Sequence, residues 1–132
     1  MTPVTNYRRP TVLVVEDDAG VARMLRFCFR EAGFDATEAS TGGAALEILK
    51  RTLLDAAVLD LQLLNGQGGA VLEWLRQIGE QASTSPVWIV ISALDQDEAT
   101  KRYGCLGSHF LPKPFDPWRL VAMLKELLSA KS

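Results

Sequence analysis

The chain has 132 residues, 48% of them hydrophobic and 23% charged, and its 14 Lys and Arg against 16 Asp and Glu leave a net charge of -2. That length holds one domain with a core of its own, and the composition excludes a disordered chain, a collagen-like chain and a disulfide scaffold. The charge balance lacks the basic excess of a duplex-binding module, so no direct nucleic acid contact by this domain is expected. No apolar run approaches the ~18 residues of a membrane span, so no membrane insertion is expected either.

Residues 1–10 are polar with two prolines and an Arg pair, and read as a flexible N-terminal arm without the apolar stretch of a secretory signal. The run from Thr11 to Val15 is mostly β-branched and ends in Glu16-Asp17-Asp18, the pattern of a strand buried on both faces. Val21, Met24, Leu25, Cys28 and Phe29 then recur at helical spacing, with Gly33 placed to end the helix. Phe34 to Ala39 reads as a second strand, and Ser40 or Thr41 can cap a helix carrying Ala45, Leu46, Ile48 and Leu49. A third strand, Ala56 to Leu59, ends at Asp60, and a Gly/Asn loop at 65–69 leads to a helix over about 70–78. Pro86 opens a fourth strand that ends at Ser92. A short polar helix follows over about 95–103, then a fifth strand at about 109–111. Pro117 suits the first position of a last helix running to about Leu128, whose Val121, Leu124 and Leu128 take the core face by i, i+3, i+7 spacing.

Five strands alternating with five helices imply a parallel sheet, doubly wound, in one α/β domain. The domain is expected over residues 11–129, with a tail at 130–132. Cys28 and Cys105 have no CxxC spacing and read as the reduced thiols of a cytoplasmic protein.

Ligands of an open α/β sheet bind beyond the carboxyl ends of its strands. In a flavodoxin-like strand order 2-1-3-4-5, Glu16, Asp17, Asp60, Ser92 and Lys113 would converge on one edge. Crowded carboxylates repel, and one takes up a proton unless a cation is present. Hard oxygen ligands suit Mg2+. With a lysine, a hydroxyl and a carboxylate nucleophile, such an edge has the parts for phosphoryl transfer, and Asp60 is the natural nucleophile. Taken singly, each part has a blander reading: an acidic run is a solvated loop, an Asp after a strand is a helix cap, a Lys-Pro pair is a surface turn. Their joint placement at four strand ends is what carries the chemistry.

The same residues carry a resemblance. Val14-Val15-Glu16-Asp17-Asp18, Leu59-Asp60-Leu61, Gly68, Ile91-Ser92-Ala93 and Phe110-Leu111-Pro112-Lys113-Pro114-Phe115, in this order and spacing, resemble the receiver domain of bacterial two-component response regulators over roughly residues 11–129. The resemblance implies that Asp60 accepts a phosphoryl group from a sensor histidine kinase or a histidine phosphotransfer protein. It implies that Asp17, Asp60 and the backbone carbonyl of Gln62 ligate Mg2+, with Glu16 assisting through water. Ser92 would hydrogen-bond the phosphoryl group, Lys113 would pair with it, and Ala93 would leave room for it. Phe110 matches an aromatic position whose rotamer follows Ser92, and Lys113-Pro114 matches a peptide bond that is cis in the family. Leu64 stands where the family usually has proline, and Leu106-Gly107 where it usually has Gly-Ala.

The function expected is a phosphorylation-controlled signalling switch. It would catalyse its own aspartyl phosphorylation and dephosphorylation, and would signal to a downstream protein target through helix four, strand five and helix five. A phosphorylation-dependent dimer is compatible with that. The alternative is a phosphorylation-independent interaction module on the same fold. A haloacid-dehalogenase-type phosphatase fits less well, because residue 62 is Gln rather than a second Asp and the nucleophile follows strand three. A nucleotide-binding fold lacks its Gly-rich loop after strand one. His109, at the opposite end of its strand, is expected to stay outside the chemistry, and Trp74, Trp88 and Trp118 are expected to be packing residues rather than stacking platforms for bases, with Trp118 near or on the outer face of the last helix as either a partner anchor or a cover over the strand-five edge.

Overall fold

The computed structural model describes residues 8–64, 68–81, 86–104 and 110–131. Strands and helices alternate: β1 (Thr11–Val15), α1 (Ala19–Glu31), β2 (Asp35–Ala39), α2 (Gly42–Arg51), β3 (Ala56–Asp60), a 3-10 turn (Leu61–Leu64), α3 (Gly68–Gln81), β4 (Val87–Ser92), α4 (Gln96–Tyr103), β5 (Phe110–Pro112) and α5 (Pro117–Lys131). The five strands form one parallel sheet in the order β2-β1-β3-β4-β5, the expected doubly wound, flavodoxin-like topology.

Every side chain of the central β3 is buried, which explains the unbroken apolar run from Ala56 to Leu59 ahead of Asp60. Alternate strand positions feed two cores. Val12, Val14, Ala56, Val58, Ile89 and Ile91 meet Leu25, Phe29, Leu120 and Leu124 of α1 and α5 on one face. Leu13, Val15, Ala57, Leu59 and Val90 meet Ala45 and Leu49 of α2 and Val71, Leu72 and Leu75 of α3 on the other. The register sets Val15 against Leu59, Asp60 against Ile91 and Ser92 against Pro112. The carboxyl ends of β1, β3, β4 and β5 therefore lie level, and the residues that follow them share one edge.

Local chemistry fixes the helix ends. Asp18 Oδ1 accepts from the N–H groups of Gly20 and Val21, Thr41 Oγ1 from Ala44, and Asp95 Oδ1 from Glu98. Beyond α1, Gly33 takes φ 96°. A β-carbon there would meet no neighbour, so the requirement for glycine is the left-handed backbone itself. Phe34 then turns back onto Phe29, with ring centroids 5.3 Å apart and edge to face.

Several expectations shift. The loop at 65–69 is shorter than read, because α3 begins at Gly68 and reaches Gln81; tertiary packing of Val71, Leu72 and Leu75 overrides the poor helix propensity of two glycines. The 130–132 tail is helical through Lys131. The arm at 1–10 is anchored at its last residues: Arg8 forks onto Asp55 at 3.0 Å through both terminal nitrogens, and Arg9 donates to the carbonyls of Gly33 and Arg30. Trp74 and Trp88 pack against the second core, and Trp118, expected near or on the outer face of α5, is 49% exposed. Met24, read as core-facing, is 42% exposed beside the more exposed Phe27. Cys28 is a buried free thiol, while Cys105, Leu106, Gly107 and His109 lie outside the described residues. Among the described residues, no helix is long and apolar enough to cross a membrane.

Candidate functional site

β1 delivers Glu16 and Asp17, β3 delivers Asp60, β4 delivers Ser92, and the turn after β5 delivers Lys113, all at the level edge. Glu16, Asp60 and Ser92 are buried, while Asp17 is exposed. Carboxylate oxygens of Glu16, Asp17 and Asp60 all come within 4.8 Å of one another. Lys113 Nζ donates to Asp60 Oδ2 at 2.8 Å and stands 3.9 Å from Glu16 Oε2. The Lys113-Pro114 peptide bond is cis, and Lys113 N–H donates to the Ser92 carbonyl at 2.7 Å, which ties the lysine to the end of β4.

The remaining contacts hold the acceptor oxygens in place. Asp60 Oδ1 accepts from the N–H of Gln62 at 2.9 Å, within the 3-10 turn. That turn also carries the Gln62 backbone that the resemblance offers as a ligand. Glu16 Oε1 accepts from Asp18 N–H at 3.2 Å, but the buried Glu16 Oε2 has no hydrogen-bond partner. Ser92 Oγ accepts from Leu94 N–H at 2.9 Å, so its hydroxyl hydrogen remains available to an incoming anion. Phe110 is half-buried and packs against the second core, the layer that also holds Ala99 of α4.

Electrostatics matches this geometry. Burial first, then the neighbouring Asp60 carboxylate, pushes Glu16 up to about 8, against the Asp18 N–H and the Lys113 ammonium that oppose the rise. Burial works against the charge on Lys113, but its hydrogen bond to Asp60 and the charges of Asp60, Glu16 and Asp17 outweigh this and raise its pKa. One ammonium thus serves three crowded carboxylates, and one buried acceptor oxygen is left over. An oxygen-only donor set with an orphaned carboxylate oxygen fits a hard divalent cation such as Mg2+.

The sequence-expected residues Glu16, Asp17, Asp60, Gln62, Ser92 and Lys113 come together; Phe110 lies behind them in the second core. Sequence reasoning did not find Arg102 and Tyr103 of α4, which line a cleft beside Ser92 and Gln62. Nothing local marks them: the polar α4 reads as a solvated helix.

Comparison with known proteins agrees with this geometry. The family model described as "Response regulator receiver domain" matches residues 12–125. The sensory transduction protein RegX3 of Mycobacterium tuberculosis is 36% identical over 120 residues, covering 89% of this chain and 50% of that protein. The DNA-binding transcriptional regulator NtrC of Escherichia coli is 30% identical over 122 residues, covering 92% of this chain and 25% of that protein. The chain thus spans half or less of the length of these curated relatives. Among solved structures, the signal receiver domain of a Luxo repressor protein from Vibrio parahaemolyticus superposes with a TM-score of 0.78 at 26% identity, covering 94% of this chain and 93% of that one. The receiver domain of the Francisella response regulator 1452 gives 0.77 at 29% identity, covering 93% and 99%. With the match running over most of its length and the acidic edge in place, the chain belongs to the receiver-domain family of response regulators, the phosphorylation-controlled switches of two-component signalling.

Proposed function

We propose that Asp60 accepts a phosphoryl group from the phosphohistidine of a sensor histidine kinase or a histidine phosphotransfer protein. A carboxylate oxygen of Asp60 forms the new bond to phosphorus, while the phosphorus–nitrogen bond breaks and its electron pair returns to the imidazole. Lys113 holds charge on the phosphoryl oxygens and Ser92 donates its hydroxyl to one of them. Asp17, Asp60, the Gln62 backbone carbonyl and Glu16 would hold Mg2+, which when bound draws off the charge that develops on the equatorial oxygens.

The switch follows from Ser92. Once its hydroxyl turns toward the phosphoryl group, the space it leaves can be filled by Phe110, giving two discrete packings behind α4, β5 and α5. That face is the proposed contact for a downstream protein target, and for a second phosphorylated copy where a dimer forms. The reading places the domain in the cytoplasm and assigns it no direct nucleic acid contact.

The observation that carries the reading is the Lys113 Nζ–Asp60 Oδ2 contact of 2.8 Å beside the buried Glu16 Oε2, which has no hydrogen bond. Incubation with Mg2+ and a phosphohistidine donor should add a single phosphoryl group, read by intact mass. Asp60→Asn should take up none, and stoichiometric labelling of that variant would refute the assignment.

A further inference from the structure

The far end of α4 is fastened to α3. Arg76, half-buried on α3, donates from Nη2 to the Tyr103 carbonyl at 2.6 Å. Carbonyls in the last turn of a helix lack intrahelical donors, and the helix dipole favours a cation there. A guanidinium reaching over from a neighbouring helix meets both needs. Beyond Tyr103, Gly104 turns with φ 82°, and its N–H donates to the Thr100 carbonyl at 2.8 Å. A β-carbon on Gly104 would stand 3.4 Å from Arg76 Nη2 and 3.8 Å from Nη1, so the guanidinium lies against the chain where it leaves α4. The bond tolerates little sliding, because a displacement of about 1 Å along its line carries the pair past hydrogen-bond length. The near end of α4 is tied to the switch residue. Ser92 Oγ accepts from Leu94 N–H at 2.9 Å, one residue ahead of the Asp95 cap. Tyr103 links the two ends: it is half-buried, packs against the second core as Phe110 does, and lines a cleft together with Ser92 and Leu94. A rearrangement of Ser92 and Phe110 therefore reaches the residue whose carbonyl Arg76 holds.

We propose that Arg76 is a latch on α4: its bond to the Tyr103 carbonyl belongs to the resting arrangement and is given up when α4 moves, so that Arg76 sets how strongly the unphosphorylated domain favours rest. The proposal rests on the reading of Asp60 as phosphoacceptor and of α4 as part of the output face. A contact made in one of two states biases the equilibrium toward that state, and a ligand that favours the other must work against it. Removing the latch enlarges the fraction of molecules ready for the ligand, and the apparent affinity rises with that fraction.

The test uses Arg76→Met, which keeps the hydrocarbon stem and removes the donors, and two measurements. Without any phosphoryl mimic, the amides of Thr100 to Gly104 should exchange about three- to tenfold faster than in the unsubstituted protein, the scale of one partly exposed hydrogen bond. With Mg2+ saturating, the concentration of beryllofluoride, a phosphoryl mimic, that half-saturates the protein should fall by up to about the same factor. Arg76→Lys keeps the charge without the planar fork and should lie between the two. Lys101→Met removes an exposed cation from the last turn of the same helix and should leave the affinity for the mimic unchanged. Damage to the fold would weaken binding of the mimic, so tighter binding separates a latch from a merely structural side chain. Faster exchange with unchanged affinity would mean that the bond persists in both states. Weaker binding of the mimic, or no change in either measurement, would mean that Arg76 does not hold the resting state. Each of these results overturns the proposal. Failure of the unsubstituted protein to bind the mimic would instead overturn the phosphoacceptor reading, and this proposal with it.

Discussion

Glu16 gives the most direct test of how the acidic edge is held without a cation. Its carboxyl is buried, sits against Asp60, and is raised from an ordinary 4.5 to about 8. A carboxyl that is raised on folding binds more protons in the native state than in the unfolded one between those two values. The contribution of Glu16 to the stability of the metal-free protein is therefore fully present below about 4.5 and falls as the pH rises toward about 8. Each pH unit inside that window costs up to ~1.4 kcal/mol, so going from pH 5 to pH 7 should remove about 2 kcal/mol. For a domain of this size that is roughly 6–10 °C in Tm. The assay is thermal unfolding in EDTA across this range, with Glu16→Gln as the reference. The amide keeps the shape and can still accept from the Asp18 N–H, but it does not titrate. The unsubstituted protein should lose stability with rising pH more steeply than the variant, and saturating Mg2+ should stabilise it more at pH 8 than at pH 5. Parallel profiles for the two proteins in EDTA would refute the assignment of the rise to this buried carboxyl.

Three further outcomes follow from the same contacts. Asp17→Ala removes one of the three gathered carboxylates and should raise the Kd for Mg2+ at least about tenfold; an unchanged titration would leave the acidic run a solvated loop. Asp55 accepts from Thr11 N–H at 2.7 Å and from the Thr11 hydroxyl at 3.2 Å, so Asp55→Ala should cost about 2 kcal/mol at pH 7 through those bonds. Burial opposes the Asp55 charge, but Arg8 and Thr11 hold its pKa below the ordinary 3.8, so the cost should persist down to that pH and vanish as the pH falls through the depressed value; a difference still present well below it would count against the pairing. Amide shift mapping with a beryllofluoride phosphoryl mimic should perturb Phe110 and residues of α4 and α5, and changes confined to the loops holding Asp60, Ser92 and Lys113 would count against that output face.

The parallel sheet and most of the acidic edge were legible because a parallel sheet brings all its carboxyl ends to one side. Once Val12–Val15, Val58–Leu59 and Ile89–Ile91 read as buried strands, the positions of Glu16, Asp60 and Ser92 followed. Contacts between residues distant in sequence were not legible. The fork of Arg8 onto Asp55 links positions 47 apart and leaves no periodic trace. The donation from Arg76 Nη2 on α3 to the Tyr103 carbonyl at the end of α4 is equally hidden. Helix phase was legible only to within a residue or so. On α5, Val121 and Leu124 are buried as expected, but Leu120 is fully buried as well and Leu128 is only half-buried. A stripe of apolar residues wider than the buried face leaves its centre ambiguous, and packing against α1 decides it.

α4 is held to the rest of the molecule by little. Of its eight residues only Ala99 is buried, a side chain that contributes a single methyl group to the second core. Its two ends are fixed by polar contacts instead, the Asp95 cap at the start and the Arg76 bond to the Tyr103 carbonyl at the finish. Beyond it Gly104 turns with φ 82°, a position any other residue would strain. Sliding or unwinding such a helix exposes the Ala99 methyl and part of the half-buried Tyr103 ring, so its displacement costs less than that of α1 or α5, which fully bury several large side chains each. Among the described helices, the one directly after Ser92 is thus held mainly at its polar ends, and the charge change proposed at Asp60 would act beside a helix that is easily displaced.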